Sequence, residues 1–144
     1  MKKVTILLIS VFSALHLFAS FNADAILGVW ANSSNRGHIR IYKNNGKYYG
    51  KIIWLKHPYD EKGNPKVDQK NPNENDRNKQ LLGLIMLRDF VYDNEEWKDG
   101  KIYNPQDGKE YKSNIKLTND KTLSVRGYIG ISLFGKTEKF IRIR

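Results

Sequence analysis

The chain has no cysteine and only three histidines among 144 residues. The first absence excludes a disulfide framework, a lipid-bearing cysteine anchor and any thiolate metal site; it does not assign a compartment, since disulfides are permitted outside the cytoplasm but not required there. The histidines outside the N-terminal apolar run, His38 and His57, have no Asp or Glu at metal-ligand spacing, so a zinc centre is not expected. Helical periodicity is almost absent. No strand-to-helix context surrounds Ser132 between Gly130 and Gly135, which removes the elbow that a serine nucleophile needs. Asp60, Glu61, Asp68, Glu74 and Asp76 all fall in one polar stretch, without the apolar surroundings that raise a catalytic acid's pKa. No catalytic residues, metal or cofactor are therefore expected, and the chain does not read as an enzyme.

What is present begins with Met1-Lys2-Lys3 ahead of an apolar run from Val4 to Phe18. A short basic segment followed by an apolar one is the pattern of a secretory leader, and the run is short for a membrane span, which needs about 20 apolar residues. Two cuts suit it: after Ala19, with Leu17 at the −3 position, or after Ala25, where Ala23-Asp24-Ala25 has the small-x-small form. The expected organisation is a leader over 1–19, extending at most to 25, and one domain over 26–144. The formal charge of +10 stays strongly positive without Lys2 and Lys3. Such a surface suits an anionic component of the cell envelope, or simply keeps a small domain soluble, and nothing is built to read nucleic acid.

The domain reads as short strands. Ile26–Trp30 is apolar and ends at a turn-rich segment; His38–Lys43 alternates with period two; Asn45-Gly46 supplies a two-residue hairpin turn, and Lys47–Leu55 returns. That turn sets Ile41 opposite Gly50, Arg40 opposite Lys51 and Ile39 opposite Ile52, which gathers Ile39, Ile41, Tyr48, Gly50, Ile52 and Trp54 on one face. Residues 56–79 are a long polar loop with Pro58, Pro65 and Pro72, either mobile or a lid. Leu81–Leu87 reads as an extended core segment, followed by short strands at Glu96-Trp97 and Lys101–Tyr103. Glu110–Leu117, Thr122–Tyr128 and Thr137–Arg144 complete about eight. Regularly spaced short strands with turn signals predict an all-β antiparallel barrel.

The ordered series Ile26-Leu27-Gly28-Val29-Trp30, Gly37–Tyr42, Tyr49–Leu55, Leu81–Leu84, Gly100–Pro105, Gly108–Tyr111 and Arg126–Gly130 resembles the small secreted bacterial proteins called domain of unknown function 2147. The resemblance covers nearly the whole domain and implies a lipocalin-like barrel with no assigned activity. Many members carry a cysteine pair around the first hairpin; Tyr49 stands at one such place here, so that staple is missing. Gly28-Val29-Trp30 is also similar to the lipocalin Gly-x-Trp signature, which implies that Trp30 closes one barrel end beneath an arginine of the last strand, Arg142 or otherwise Arg144.

These readings converge on an exported protein, periplasmic or released, that binds a small apolar or amphipathic molecule within the barrel. Ile39, Ile41, Tyr48, Ile52, Trp54, Tyr111, Ile115, Leu123 and Val125 are the expected lining, with Tyr48 or Tyr111 offering a hydroxyl. The same list also describes a filled core, because an eight-stranded barrel is just wide enough for either. In that alternative the protein acts through its basic exterior on a protein or an anionic polymer of the envelope.

Overall fold

The structure, a computed structural model, describes residues 21–131 and 135–144. The expected leader over 1–19 and Ser132 lie outside the described residues. Eight antiparallel strands follow one another around a closed barrel: β1 Gly28–Asn32, β2 Gly37–Asn44, β3 Lys47–Leu55, β4 Ile85–Asp93, β5 Glu96–Asn104, β6 Lys109–Asn119, β7 Thr122–Tyr128 and β8 Gly135–Arg142, with β8 pairing back onto β1. Closure leaves no sheet edge, so the backbone groups of every strand have neighbours on both sides. A single 3-10 turn, Ala23–Ile26, precedes β1 and another, Glu74–Asp76, lies in the loop between β3 and β4. No helix among the described residues is long and apolar enough to cross a membrane.

The first hairpin has the register read from its turn: Ile41 faces Gly50, Arg40 faces Lys51 and Ile39 faces Ile52. Asn45 and Gly46 both take positive φ, 48° and 75°, as a type I′ turn requires. Trp54 corrects the reading. The register slips between His38 and Ile39, so that Trp54 pairs with His38, and the extra residue, Ile53, reverses the alternation of β3 beyond it. Trp54 is consequently 40% exposed, its ring stacked 4.3 Å from that of His38, while Leu55 turns toward the core.

The middle of the chain differs from its pattern in the same way. Glu96-Trp97 and Lys101–Tyr103 are one strand, not two, because Asp99 adopts a positive φ of 58° inside β5 and the ladder resumes beyond it at Gly100. Asp89, at φ 62°, does the same in the facing strand β4. Aspartate tolerates this conformation better than most residues. The two bulges let Leu87 and Phe90 of β4 and Trp97 and Gly100 of β5 all point inward at a spacing of three. Gly100 is required by its neighbour: a Cβ there would sit 2.3 Å from the Phe90 ring. Leu81 and Leu82 fall in a turn, and the strand expected at Leu81 starts at Ile85.

The core is one cluster in which Trp30, Trp97, Tyr48 and Phe90 meet Ile26, Leu87, Ile115, Leu123 and Val125. These four large rings, each 2% exposed or less, fill the interior where they meet.

Candidate functional site

One end of the barrel is a floor. Residues 21–27 cross it, and the barrel's polar groups rise to meet them. Trp30 Nε1 donates to the Ile26 carbonyl at 2.9 Å, Trp97 Nε1 to the Ala23 carbonyl at 3.0 Å, and the Tyr92 hydroxyl to the Phe21 carbonyl. The Tyr48 hydroxyl donates to Asp24 at 2.6 Å and Lys43 Nζ reaches the same oxygen at 3.1 Å. These bonds hold the Asp24 carboxyl below its ordinary pKa, through Tyr48 first and Lys43 second, while burial and then Asp24 push the Tyr48 phenol up. Arg142 lies with its guanidinium 4.1 Å from the centre of the Trp30 ring and donates to the carbonyls of Leu27 (2.9 Å), Ala25 and Asp120 (2.7 Å). Gly28, at φ 136°, lets the chain pass against the Arg144 carbonyl, which would lie 2.7 Å from a Cβ.

The interior above the floor gathers most of the residues read as lining. Ile39, Ile41, Tyr48, Ile52, Ile115 and Val125 are each 5% exposed or less and pack against one another and the aromatic rings. They face inward, yet onto side chains. Tyr111 is half-buried toward the other end, and its hydroxyl is taken by Asp107 at 2.6 Å; Trp54 lies outside. Among the described residues, one buried side-chain polar atom has no partner: the hydroxyl of Ser113, in register with Gly100 on one side and Gly127 on the other. A buried hydroxyl left unpaired costs about 1–3 kcal/mol, so Ser113→Ala is expected to leave thermal stability unchanged or raise it by up to about 1 kcal/mol. A clear fall in the melting midpoint would mean that the hydroxyl bonds a water or a bound molecule in solution.

The other end carries the long loop, which is a built strap. Asp68, 1% exposed, accepts from the Tyr103 hydroxyl and from Asn71 Nδ2, each at 2.8 Å, while its own N–H donates to the Lys79 carbonyl at 2.9 Å. Burial, and then the bond to Asp68, pushes the Tyr103 phenol up to about 12. Isolated bridges join Tyr59 to Pro65 and Val67 to Gln80, and the Lys70 carbonyl passes so close to Gly108 that a Cβ there would sit 1.9 Å from it. The strap thus runs from β3 to the β5–β6 turn and back to β4, tied at each stage.

Where it rejoins β4 it leaves an open hollow of about 470 Å³, lined by Lys79, Gln80, Leu82, Gly83, Leu84 and Ile85. A cleft of about 70 Å³, lined by Pro58, Tyr59, Pro65, Lys66, Gln80 and Leu82, shares two of those residues and extends it. Leu82 is 48% exposed, Ile85 45% and Tyr59 60%, whereas Leu84 reaches the core, so the hollow lies on the barrel's rim. Lys79 pairs with Asp76 at 2.7 Å, and Lys66 has no ion pair among the described residues. The apolar run Leu81–Leu84, directly after 25 polar-rich positions, was the one sign of this site in the sequence; pattern reading assigns such a run to the core, and of its residues only Leu84 packs there.

Comparison with known proteins fits this geometry. Residues 28–142 match the family described as an uncharacterized protein conserved in bacteria, domain of unknown function 2147. The chain belongs to this family. The match spans the barrel from the first residue of β1 to the last of β8. Among solved structures, the chain is similar to protein HP1028 of Helicobacter pylori, described as belonging to the lipocalin family, at 26% identity over 82% of each chain with a TM-score of 0.70. No curated protein matches. The eight-stranded barrel is therefore lipocalin-like, with residues 21–27, held by Trp30 and Arg142, closing one end and the strap between β3 and β4 lying at the other. Among the described residues no three of His, Cys, Asp and Glu gather as a metal would require.

Proposed function

We propose that this protein is exported and binds a small amphipathic molecule without transforming it, at the strapped rim of the barrel and not deep within it. The hollow of about 470 Å³ carries this reading: open to solvent on the barrel's rim, it places Leu82, Leu84 and Ile85 beside Lys79 and Gln80. Leu82, Ile85 and Tyr59 are exposed there side by side, and the apolar chain of a ligand would cover them. The adjoining cleft sets Lys66 and Tyr59 where a polar head would lie. The aromatic cluster supports the rim as the locus, since a ligand among those rings would have to displace Phe90 or Trp97.

Dodecanoate and dodecylamine, equal in chain and opposite in charge, test it by calorimetry. Dodecanoate is expected to bind, dodecylamine at least tenfold more weakly, and Leu82→Asp to lower dodecanoate affinity at least tenfold with the melting curve unchanged. Equal binding by the Leu82→Asp variant would remove the rim site. Native mass spectrometry of protein taken gently from its producing cell would then identify a retained molecule.

A second reading has its own observation. On the outer surface Arg88, Lys101 and Lys112 stand opposite one another across β4, β5 and β6, and Arg40 opposes Lys51 across β2 and β3. Like charges placed so are mildly destabilising. Glu110 answers Arg88 and Lys101, and Lys51 lies over the Tyr42 ring, but Arg40, Lys51 and Lys112 make no ion pair among the described residues. This belt suits an anionic polymer, whose binding would weaken sharply between low and physiological salt.

A further inference from the structure

The hollow at the rim has cations on two sides. The cleft that extends it past Gln80 and Leu82 carries Lys66. Ile85, which lines the hollow but not the cleft, is 45% exposed and stands in register with Lys51 of β3, and Lys51 stands in register with Arg40 of β2. Neighbouring strands lie about 4.8 Å apart, so this row leads from the hollow's apolar margin to two exposed cations within about 10 Å. None of Lys66, Lys51 and Arg40 makes an ion pair among the described residues. Lys51 Nζ lies 5.6 Å from the centre of the Tyr42 ring, on the same strand as Arg40. Val29 continues the row on β1 and adds no charge. On β4, Asp89 already accepts from the Tyr49 hydroxyl at 2.9 Å and lies 3.7 Å from Arg88. Like charges directly opposed repel, and an anion seated between Arg40 and Lys51 would answer both.

We propose that the ligand of the rim is an unbranched aliphatic dianion, a chain with a carboxylate at each end. One carboxylate meets Lys66, the chain crosses Leu82 and Ile85, and the other carboxylate sits between Lys51 and Arg40. This rests on the rim site and names its ligand class. Of the cations on the outer belt, Arg40 and Lys51 differ from Lys112 in that their row ends at the hollow. A fatty acid in the same place would satisfy Lys66 and leave the opposed pair unanswered. A guanidinium can offer a carboxylate two parallel hydrogen bonds and an ammonium a further one, so Arg40 and Lys51 together seat it better than either alone. Burial of the chain does not by itself select a dianion. Replacing the terminal methyl of a fatty acid by a carboxylate adds a strongly hydrated group, which opposes transfer from water unless a cation receives it. A preference for the dianion therefore reports the second seat.

Calorimetry with dodecanedioate and dodecanoate at neutral pH tests it. Dodecanedioate is expected to bind the parent at least tenfold more tightly than dodecanoate. Combining Arg40→Met with Lys51→Met is expected to bring dodecanedioate down to the affinity of dodecanoate, while dodecanoate itself stays within about threefold of its parent affinity. Both positions are exposed, so the melting midpoint of this variant should match or exceed the parent's once the repulsion is gone. Combining Lys47→Met with Lys121→Met removes the same charge at the floor end and is expected to leave the preference for the dianion in place. Equal affinity of the parent for the two ligands, or an equal loss of preference in the floor-end variant, overturns the dianion; the rim site still stands if Leu82→Asp weakens dodecanoate. If neither ligand binds the parent, the rim site itself falls and the dianion with it.

Discussion

Trp30→Ala is expected to cost about 3–5 kcal/mol, the range for truncating a fully buried aromatic residue, and to lower the melting midpoint by about 10–25 °C. Trp30 is 0% exposed, donates to Ile26 and supports the Arg142 guanidinium on its ring face. Losing the indole removes the packing of the floor and leaves Arg142 over a void. Arg142→Met, which keeps an apolar stem but drops three donated hydrogen bonds, should cost less, about 2–3 kcal/mol. Denaturant unfolding of both variants checks this order. If Trp30→Ala melts within 3 °C of the parent, the floor is not the element that holds the barrel closed.

Asp68→Ala is expected to act on the other end. It leaves the Tyr103 hydroxyl and the Asn71 amide without their shared acceptor, a loss of about 2–4 kcal/mol given that hydrogen bonds to a carboxylate contribute more than neutral ones. The barrel strands do not depend on that bond, so the expected result is a freed strap on a folded barrel. Limited proteolysis should cut within 56–84, and dodecanoate binding at the rim should be lost. Tyr103 reports the change separately. Its phenol is raised to about 12, so the folded state holds its proton more tightly than the unfolded chain does. The stabilisation is fully present below pH 10 and is lost as pH rises from 10 through 12. In Asp68→Ala the Tyr103 phenolate should form at lower pH, which tyrosinate absorbance follows. An unchanged proteolysis pattern would show that the strap is held by other contacts.

Much of the fold is legible in the chain because its signals are local. Asn45-Gly46 specifies a two-residue turn, and once that turn is set every pairing from Gly50 to Ile41 follows. The same holds for β6, where Tyr111, Ser113, Ile115 and Leu117 alternate with polar residues without interruption. Trp54 was misplaced since a bulge leaves no mark in an alternating pattern: one extra residue at Ile53 is enough to turn every later side chain to the opposite face. Asp99 bulges β5, joining two apparent strands into one, and Asp89 bulges β4 opposite it.

The candidate site was not legible, for a different reason. Asp68 looks like any other acid in a stretch of polar residues, and its burial depends on Tyr103, 35 positions away. Likewise Asp24 becomes part of the floor only because Tyr48 and Lys43 close over it. Composition and periodicity by themselves determined the all-β barrel, its first hairpin and its basic surface, since each depends on neighbours in sequence. Whether the barrel is filled, whether the long loop is tied down, and which residues form floor and rim were decided only by the tertiary structure, because those depend on side-chain volume and on polar partners that meet only once the barrel has closed.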